Sequence, residues 1–224
     1  MENKIAIFDF CGTVVPFQSA DAFIRYATKN YNVHENKRIE KKFLFWKKSY
    51  ISIVMSKFFH YSITKHVLAK MIKGMDEGQI QKFAISFFKD EILPNIIHET
   101  HDLIIKLKNE GYHLIFVSAA YGVYLQQAAN YFGIESIIST NLKIKNGKAT
   151  GKISKDCVWK NKVKMLKKEN KLIDKKYANV VWSISDSKSD LPILLISKNK
   201  IVVSKKHQKW IEKYKNFNEI IWEK

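Results

Sequence analysis

Lys4-Ile5-Ala6-Ile7-Phe8-Asp9-Phe10-Cys11-Gly12-Thr13 opens the chain with four uninterrupted apolar residues that stop at a carboxylate. An apolar run of that length, punctuated at once by Cys11-Gly12-Thr13, predicts a buried strand and then a tight loop. A strand covered on both faces belongs in a parallel sheet, so the later segments must supply further strands and the crossovers between them.

From Ser19 to about Leu93 the pattern is helical. Phe23, Tyr26 and Ala27 are followed by Phe43, Leu44 and Trp46, then by Val67, Leu68 and Met71, then by Ile80, Phe83, Ala84 and Phe87, and no period-2 alternation is sustained. Breaks near Asn30-Tyr31-Asn32, Ser62-Ile63-Thr64 and Gly74-Met75-Asp76 divide this block into four or five helices, and Pro94 marks its end. Beyond Pro94 strands and helices alternate. A helix around His101–Asn109 ends at Gly111, and the apolar run His113–Val117 finishes at Ser118. There follow a helix near Val123–Tyr131, a short strand at Ser136–Ser139 and a hairpin over Leu142–Ile153 built around Asn146-Gly147. A helix over Lys160–Lys168, a strand over Asn179–Ile184, a helix from Leu191, a strand over Lys200–Val203 and a last helix from Lys205 complete the chain. The expected fold is α/β: a doubly wound, mostly parallel sheet built from residues 1–17 and 95–224, with an all-helical second domain, 18–94, inserted after the first strand.

Composition narrows the function classes. The 224 residues carry 39 Lys+Arg against 21 Asp+Glu, a formal charge of +18, and are 46% hydrophobic, which suits a globular chain. Such an excess of positive charge fits an anionic partner. Its makeup argues against nucleic acid, because Arg25 and Arg38 are the only arginines and base-edge and bidentate phosphate recognition favour the arginine fork. Cys11 and Cys157, the two cysteines, are too few for a disulfide framework or a cysteine-rich zinc site. No run of 18 apolar residues exists, and Ile5–Phe8 is too short for the apolar region of a signal peptide, so a cytoplasmic protein is expected.

In a doubly wound sheet the carboxyl ends of the strands carry the site. Collected there are Asp9 after the first strand, Ser118 after the second, Lys162 opening a helix, and Asp186 with Asp190 after the strand that ends at Ile184. Separated carboxylates, one lysine and one hydroxyl form a set suited to a divalent metal and a phosphate. Hard oxygen ligands suit Mg²⁺, the lysine balances anionic charge, and a hydroxyl with helix-start amides can hold phosphate oxygens. A carboxylate among such groups can itself attack phosphorus. Lys162 lies among other lysines, and Lys160 is the alternative for its place.

Four segments in order resemble the motifs of the haloacid dehalogenase superfamily, phosphoserine-phosphatase-like branch. They are Phe8-Asp9-Phe10-Cys11-Gly12-Thr13-Val14, Leu114-Ile115-Phe116-Val117-Ser118-Ala119, Asp156-Cys157-Val158-Trp159-Lys160-Asn161-Lys162-Val163 and Ser185-Asp186-Ser187-Lys188-Ser189-Asp190-Leu191-Pro192. The resemblance implies a Mg²⁺-dependent phosphatase with Asp9 as nucleophile and an aspartyl-phosphate intermediate. The metal would bind the Asp9 carboxylate, the Cys11 backbone carbonyl and Asp186, with Asp190 supporting the metal shell or Lys162. Ser118 would hold the phosphoryl group beside Gly12, Thr13 and Ala119, and Lys162 would pair with Asp9 and the phosphate. The helical insert would be the cap that closes over the site.

The departure from that pattern is Cys11. In the family's phosphatases this place holds an aspartate that protonates the leaving oxygen and then activates water, a contribution of roughly 10²–10⁴-fold. Three outcomes follow: a phosphatase for substrates with good leaving groups, a phosphotransferase that passes the phosphoryl group to an acceptor other than water, or a fold that binds a phosphorylated ligand with little turnover. Phosphoserine is not the expected substrate, because Gln18 stands where that enzyme has a glutamate for the substrate amine, and neither Arg25 nor Arg38 matches its carboxylate-binding arginine. The insert's Phe43-Leu44-Phe45-Trp46, Tyr50-Ile51, Ile53-Val54-Met55 and Phe58-Phe59, interrupted by lysines, read either as a buried cap core or as an apolar, basic surface for a lipid phosphate or a peripheral membrane contact.

Overall fold

The computed structural model describes residues 4–29, 33–49, 62–158, 160–169 and 179–223. Its frame is one seven-stranded sheet in the order β4-β3-β2-β1-β5-β6-β7. The central strand β1 (Ile5–Phe8) is fully buried and pairs in parallel with β2 (His113–Tyr121) on one side and β5 (Val180–Ser185) on the other. Parallel pairing continues through β6 (Asn199–Ser204) to β7 (Phe217–Ile221), and from β2 to β3 (Ser136–Lys145).

The period of two along the strands sorts side chains between the two faces. Ala6, Phe8, Leu114 and Phe116 point into a large apolar cluster with α5 (His98–Asn109) and α6 (Gly122–Phe132). Ile5, Ile7, Ile115 and Val117 point the other way, into a smaller cluster with Leu166 of α7 (Lys160–Glu169) and Ile193 of α8 (Leu191–Leu194). That double burial explains why the first strand reads as an unbroken apolar run.

The insert is helical: α1 (Ser19–Thr28), α2 (Val33–Lys48), α3 (Ile63–Ala69) and α4 (Glu77–Phe87) are its α-helices among the described residues. Its apolar side is continuous with the large cluster. On α1, Ala20, Phe23, Ile24 and Ala27 form a buried stripe, and the Phe23 ring lies 5.1 Å from Tyr124 of α6 and 5.4 Å from Phe87 of α4. The insert also touches the end of the sheet, where Gly74 donates to the Ala149 carbonyl (2.8 Å), Ala149 to Met75 (2.9 Å) and Glu77 to Gly147 (2.8 Å). Gly151 on β4 has φ +72°, and a Cβ there would lie 3.2 Å from the Lys70 backbone, so only glycine admits the turn that precedes Gly74.

Three expected elements differ. The short strand at Ser136–Ser139 and the first arm of the hairpin are one ten-residue strand, β3, which pairs in parallel with β2 through Thr140 and antiparallel with β4 (Lys148–Lys155) from Asn141 onward. The hairpin turns at Asn146-Gly147, both at positive φ. The last helix from Lys205 is replaced by a short 3-10 turn at Lys209–Lys213 and the edge strand β7. Trp210, Ile211 and Tyr214 carry helical spacing, but Asn216 at φ 62° turns the chain, and Phe217 stacks back on Trp210 at 5.8 Å. The helix from Leu191 is only four residues long.

Of the insert's aromatic stretch, Phe43 is buried beneath the Arg25 guanidinium at 5.1 Å, whereas Leu44 and Phe45 are exposed, Phe45 at 67%. The break at Asn30-Tyr31-Asn32 and the segments Tyr50-Ile51, Ile53-Val54-Met55 and Phe58-Phe59 lie outside the described residues. No helix among the described residues is long and apolar enough to cross a membrane.

Candidate active site

The carboxyl ends of β1, β2 and β5 converge. Asp9 follows β1 directly and its amide donates to the Ile184 carbonyl at 2.9 Å, which ties it to the end of β5. The chain then folds tightly, with Gly12 N–H donating to Val15 and Val14 N–H to Phe10. Gly12 has φ +78°, and a Cβ built on it would lie 2.2 Å from Asp186 Oδ2. The loop after β1 can therefore approach the loop after β5 only because residue 12 lacks a side chain.

Lys162, two residues into α7, reaches into this junction. Its ammonium donates to Asp9 Oδ1 at 2.8 Å and to Asp190 Oδ2 at 2.6 Å, and all three side chains are about 5–6% exposed. Ser185 donates to the same Asp190 oxygen at 2.6 Å. Lys160, the alternative, is exposed. Asp9, Asp186 and Asp190 each offer a carboxylate oxygen within 4.8 Å of the others, a set of hard donors that could hold a divalent cation. Lys162 takes one oxygen each from Asp9 and Asp190, and Ser185 shares the Asp190 one, so the second oxygens of these two and the Asp186 carboxylate are the donors left for a cation.

The electrostatics follow from crowding. Burial disfavours the charged Lys162, but Asp190 and then Asp9 outweigh it and hold its pKa above the ordinary lysine value. Burial, then the neighbouring carboxylates Asp9 and Asp190, push Asp186 up to about 7. Burial also raises Asp9, with Lys162 opposing. Three carboxylates face one ammonium, and added positive charge would lower all three pKa values.

Cys11 sits in the same pocket. Its Sγ lies 2.9 Å from Ser19 Oγ, which lies 2.8 Å from the Tyr124 hydroxyl, a buried chain of three neutral groups running from the site into the insert and α6. Burial first, then Asp9, push the thiol up to about 11.

The pocket, about 130 Å³, is lined by Asp9, Cys11, Gln18, Ala119, Val158, Lys162, Asp186, Ser187, Ser189 and Asp190. That is below the roughly 300–1,000 Å³ of a site for a drug-sized molecule and large enough for a phosphoryl-sized anion. Ser118 stands behind Ala119, fully buried, its Oγ accepting from Ala120 N–H at 3.3 Å. Thr13 is turned away from the pocket. Its hydroxyl is buried without a hydrogen-bond partner among the described residues, and its carbonyl accepts from Thr100. Ser19, Tyr124 and Ser185 are participants that the sequence reading did not single out; Ser185 had a signal, adjacency to Asp186, whereas Tyr124 had none.

A buried cluster of acids around one lysine thus sits at the carboxyl ends of the central strands of a mostly parallel sheet. Residues 6–195 match the haloacid dehalogenase-like hydrolase family, and the chain belongs to that family. Among solved structures, a protein of unknown function from Bordetella pertussis Tohama I superposes with a TM-score of 0.70 at 17% identity, covering 95% of this chain and 94% of that one. A phosphoserine phosphohydrolase-like protein from Francisella tularensis gives 0.63 at 17% identity over 96% and 94% of the two chains. A substrate-bound phosphoserine phosphatase gives 0.62 at 19% identity over 97% and 93%. These likenesses establish a shared fold. No curated protein matches the sequence.

Proposed function

We propose that the chain is a Mg²⁺-dependent phosphoric monoester hydrolase that works through an aspartyl-phosphate at Asp9, on a small or lipid-linked phosphorylated metabolite other than phosphoserine. The observation that carries this reading is the Lys162 ammonium shared between Asp9 and Asp190 in a buried pocket of phosphoryl size. The donor set supports the metal, since Asp9 and Asp186 are hard oxygen ligands in a site with more carboxylates than cationic groups. Mg²⁺, when bound, would neutralise the repulsion between the carboxylate and the phosphoryl oxygens.

Asp9 Oδ2 then attacks phosphorus while Lys162 holds Oδ1, and the ester P–O bond breaks. The departing oxygen takes a proton from the Cys11 thiol. Water next attacks the phosphorus and returns a proton to the Cys11 thiolate, the Asp9–phosphoryl bond breaks, and the carboxylate and inorganic phosphate are released. The helical insert, 18–94, serves as the cap, and Gln18 at its start contributes a neutral amide to the leaving-group side of the pocket. A structure described as a phospho-aspartyl intermediate analogue of phosphoserine phosphatase shares this fold at 20% identity and a TM-score of 0.57.

The Cys11 thiol supports a second reading. Held near a pKa of about 11, it is a weak acid, and where the leaving oxygen departs without its proton the thiol stays protonated and offers water no base, so the aspartyl-phosphate would persist long enough to meet an acceptor alcohol. Hydrolysis of p-nitrophenyl phosphate with Mg²⁺, beside an Asp9→Asn control, tests the main reading. Release no greater than the control would sink it, and phosphate recovered on an added alcohol would favour transfer.

A further inference from the structure

A buried ion pair outside the acidic cluster joins the insert to the sheet. Lys65 lies on α3 of the insert, yet its side chain is 7% exposed and its ammonium sits among groups of the sheet. It donates to Asp156 Oδ1 (2.7 Å), the Ala119 carbonyl (3.0 Å) and Thr140 Oγ1 (3.2 Å), three acceptors for three N–H bonds. Asp156 Oδ2 in turn accepts from the Ser62 amide at the start of α3 (3.2 Å). The Thr140 hydroxyl receives the Cys157 amide (3.1 Å) and lies 3.4 Å from Asp156 Oδ1, so its bonding capacity is also used.

Such a pair adds little to stability over a well-packed apolar replacement, and its placement suggests a different use. Ala119 O and Ala120 N–H belong to one peptide unit. Lys65 binds the first and Ser118 Oγ accepts from the second (3.3 Å), so both polar ends of that unit are fixed. Ser118 accepts in that contact and keeps its own O–H as a donor. Residues 118–120 form the irregular stretch of β2 where its ladder with β3 shifts register, between the pairs Val117–Ile138 and Tyr121–Thr140.

We infer that Lys65 is a positioning residue for the irregular Ser118–Ala120 stretch of β2. By binding the Ala119 carbonyl and Asp156 together, it makes the shape of this anion-holding stretch depend on the insert being docked. The anion-holding role of the stretch rests on the phosphatase reading above; the coupling of Lys65 to it does not.

The test uses the double variant Lys65→Met/Asp156→Leu, which replaces both charges with apolar groups and leaves neither one unpaired, and Lys65→Arg, which keeps the charge and can still donate to the carbonyl. Hydrogen exchange is followed over residues 117–122 and over β5 and β6, with melting temperature and Mg²⁺-dependent vanadate affinity alongside. Expected for the double variant is at least tenfold faster exchange at 118–120, unchanged exchange in β5 and β6, and vanadate binding weakened about 10- to 100-fold, the scale of a charge-assisted hydrogen bond. Lys65→Arg should bind vanadate within about threefold of the parent. Unchanged exchange at 118–120 in a folded double variant would overturn the inference, as would a lowered melting temperature with neither readout moved. Should the double variant not fold, Lys65→Gln takes its place, and exchange at 118–120 unchanged from the parent refutes the positioning role. If the parent itself binds no vanadate while exchange responds as expected, the phosphatase reading fails and the Lys65 coupling stands.

Discussion

Cys11→Asp places a titratable acid where the pocket has a neutral thiol, and the structure sets the size of the effect. Cysteine and aspartate are close in volume, so the change calls for little repacking. The Ser19 hydroxyl 2.9 Å from Sγ can donate to a carboxylate, and the Tyr124 hydroxyl 2.8 Å further on can donate to Ser19, which gives the chain one direction. Burial and Asp9, which already push the thiol up to about 11, would act on the new carboxyl as well. Like charges about 4 Å apart repel by about 4 kcal/mol at an effective dielectric of about 20, about three pKa units, which moves an aspartic acid from about 4 to about 7. Such a group starts protonated, gives its proton to the leaving oxygen, and is then a base for water. The gain expected is about 10²–10⁴-fold in turnover, about 3–5 kcal/mol of barrier. Steady-state kinetics with Mg²⁺ on aryl and alkyl phosphates provide the assay, because help from an acid should be greater for the poorer, alkyl leaving group. A folded variant with unchanged or lower turnover, or with equal gains on both substrates, would refute the reasoning and mean that the site is organised around the thiol.

Gly12→Ala should displace Asp186, since the added Cβ would meet Oδ2 at 2.2 Å and the φ of +78° costs a side chain about 1–2 kcal/mol; a Mg²⁺ titration should show at least tenfold more metal needed for half-maximal activity, and an unchanged titration would contradict the geometry. His207, bridged to Glu212 and Glu219 at 2.7 and 2.5 Å, is raised above its ordinary pKa by those hydrogen bonds. Because its folded pKa lies above the unfolded one, its contribution is complete below about pH 6.5 and lost as pH rises through the raised value. Hydrogen exchange in β7, corrected for intrinsic rate, should therefore accelerate between pH 6 and pH 9, and His207→Gln should abolish that dependence; an exchange profile identical in the two proteins would contradict it.

The acidic site was legible because its chemistry is local to strand ends. Asp9 follows an apolar run, and Asp186 and Asp190 follow another, so strand polarity alone places them on one edge of the sheet. The sequence left Lys160 and Lys162 unresolved; helix phase separates them, turning Lys162 inward and Lys160 to solvent. Lys65 and Asp156 are 91 residues apart and sit among many lysines of identical local character, so nothing short of the packed insert distinguishes them. At the chain's end, Trp210, Ile211 and Tyr214 match a helix in spacing, and the outcome was decided by the room for one more parallel strand beside β6. The joined strand β3 hid for a related reason: its two halves have different partners and therefore different patterns of burial.

The contact of Gly74–Glu77 with Gly147–Ala149 bears on how copies of the chain meet. An outermost strand offers its backbone to any other extended chain, which is how sheets come to aggregate edge to edge. Here the hairpin end of β4 is met by the chain's own insert, which takes the Ala149 amide and the Gly147 and Ala149 carbonyls. The segment inserted after the first strand thus shields part of one border of the sheet, and shortening it would open that stretch to pairing with a second copy.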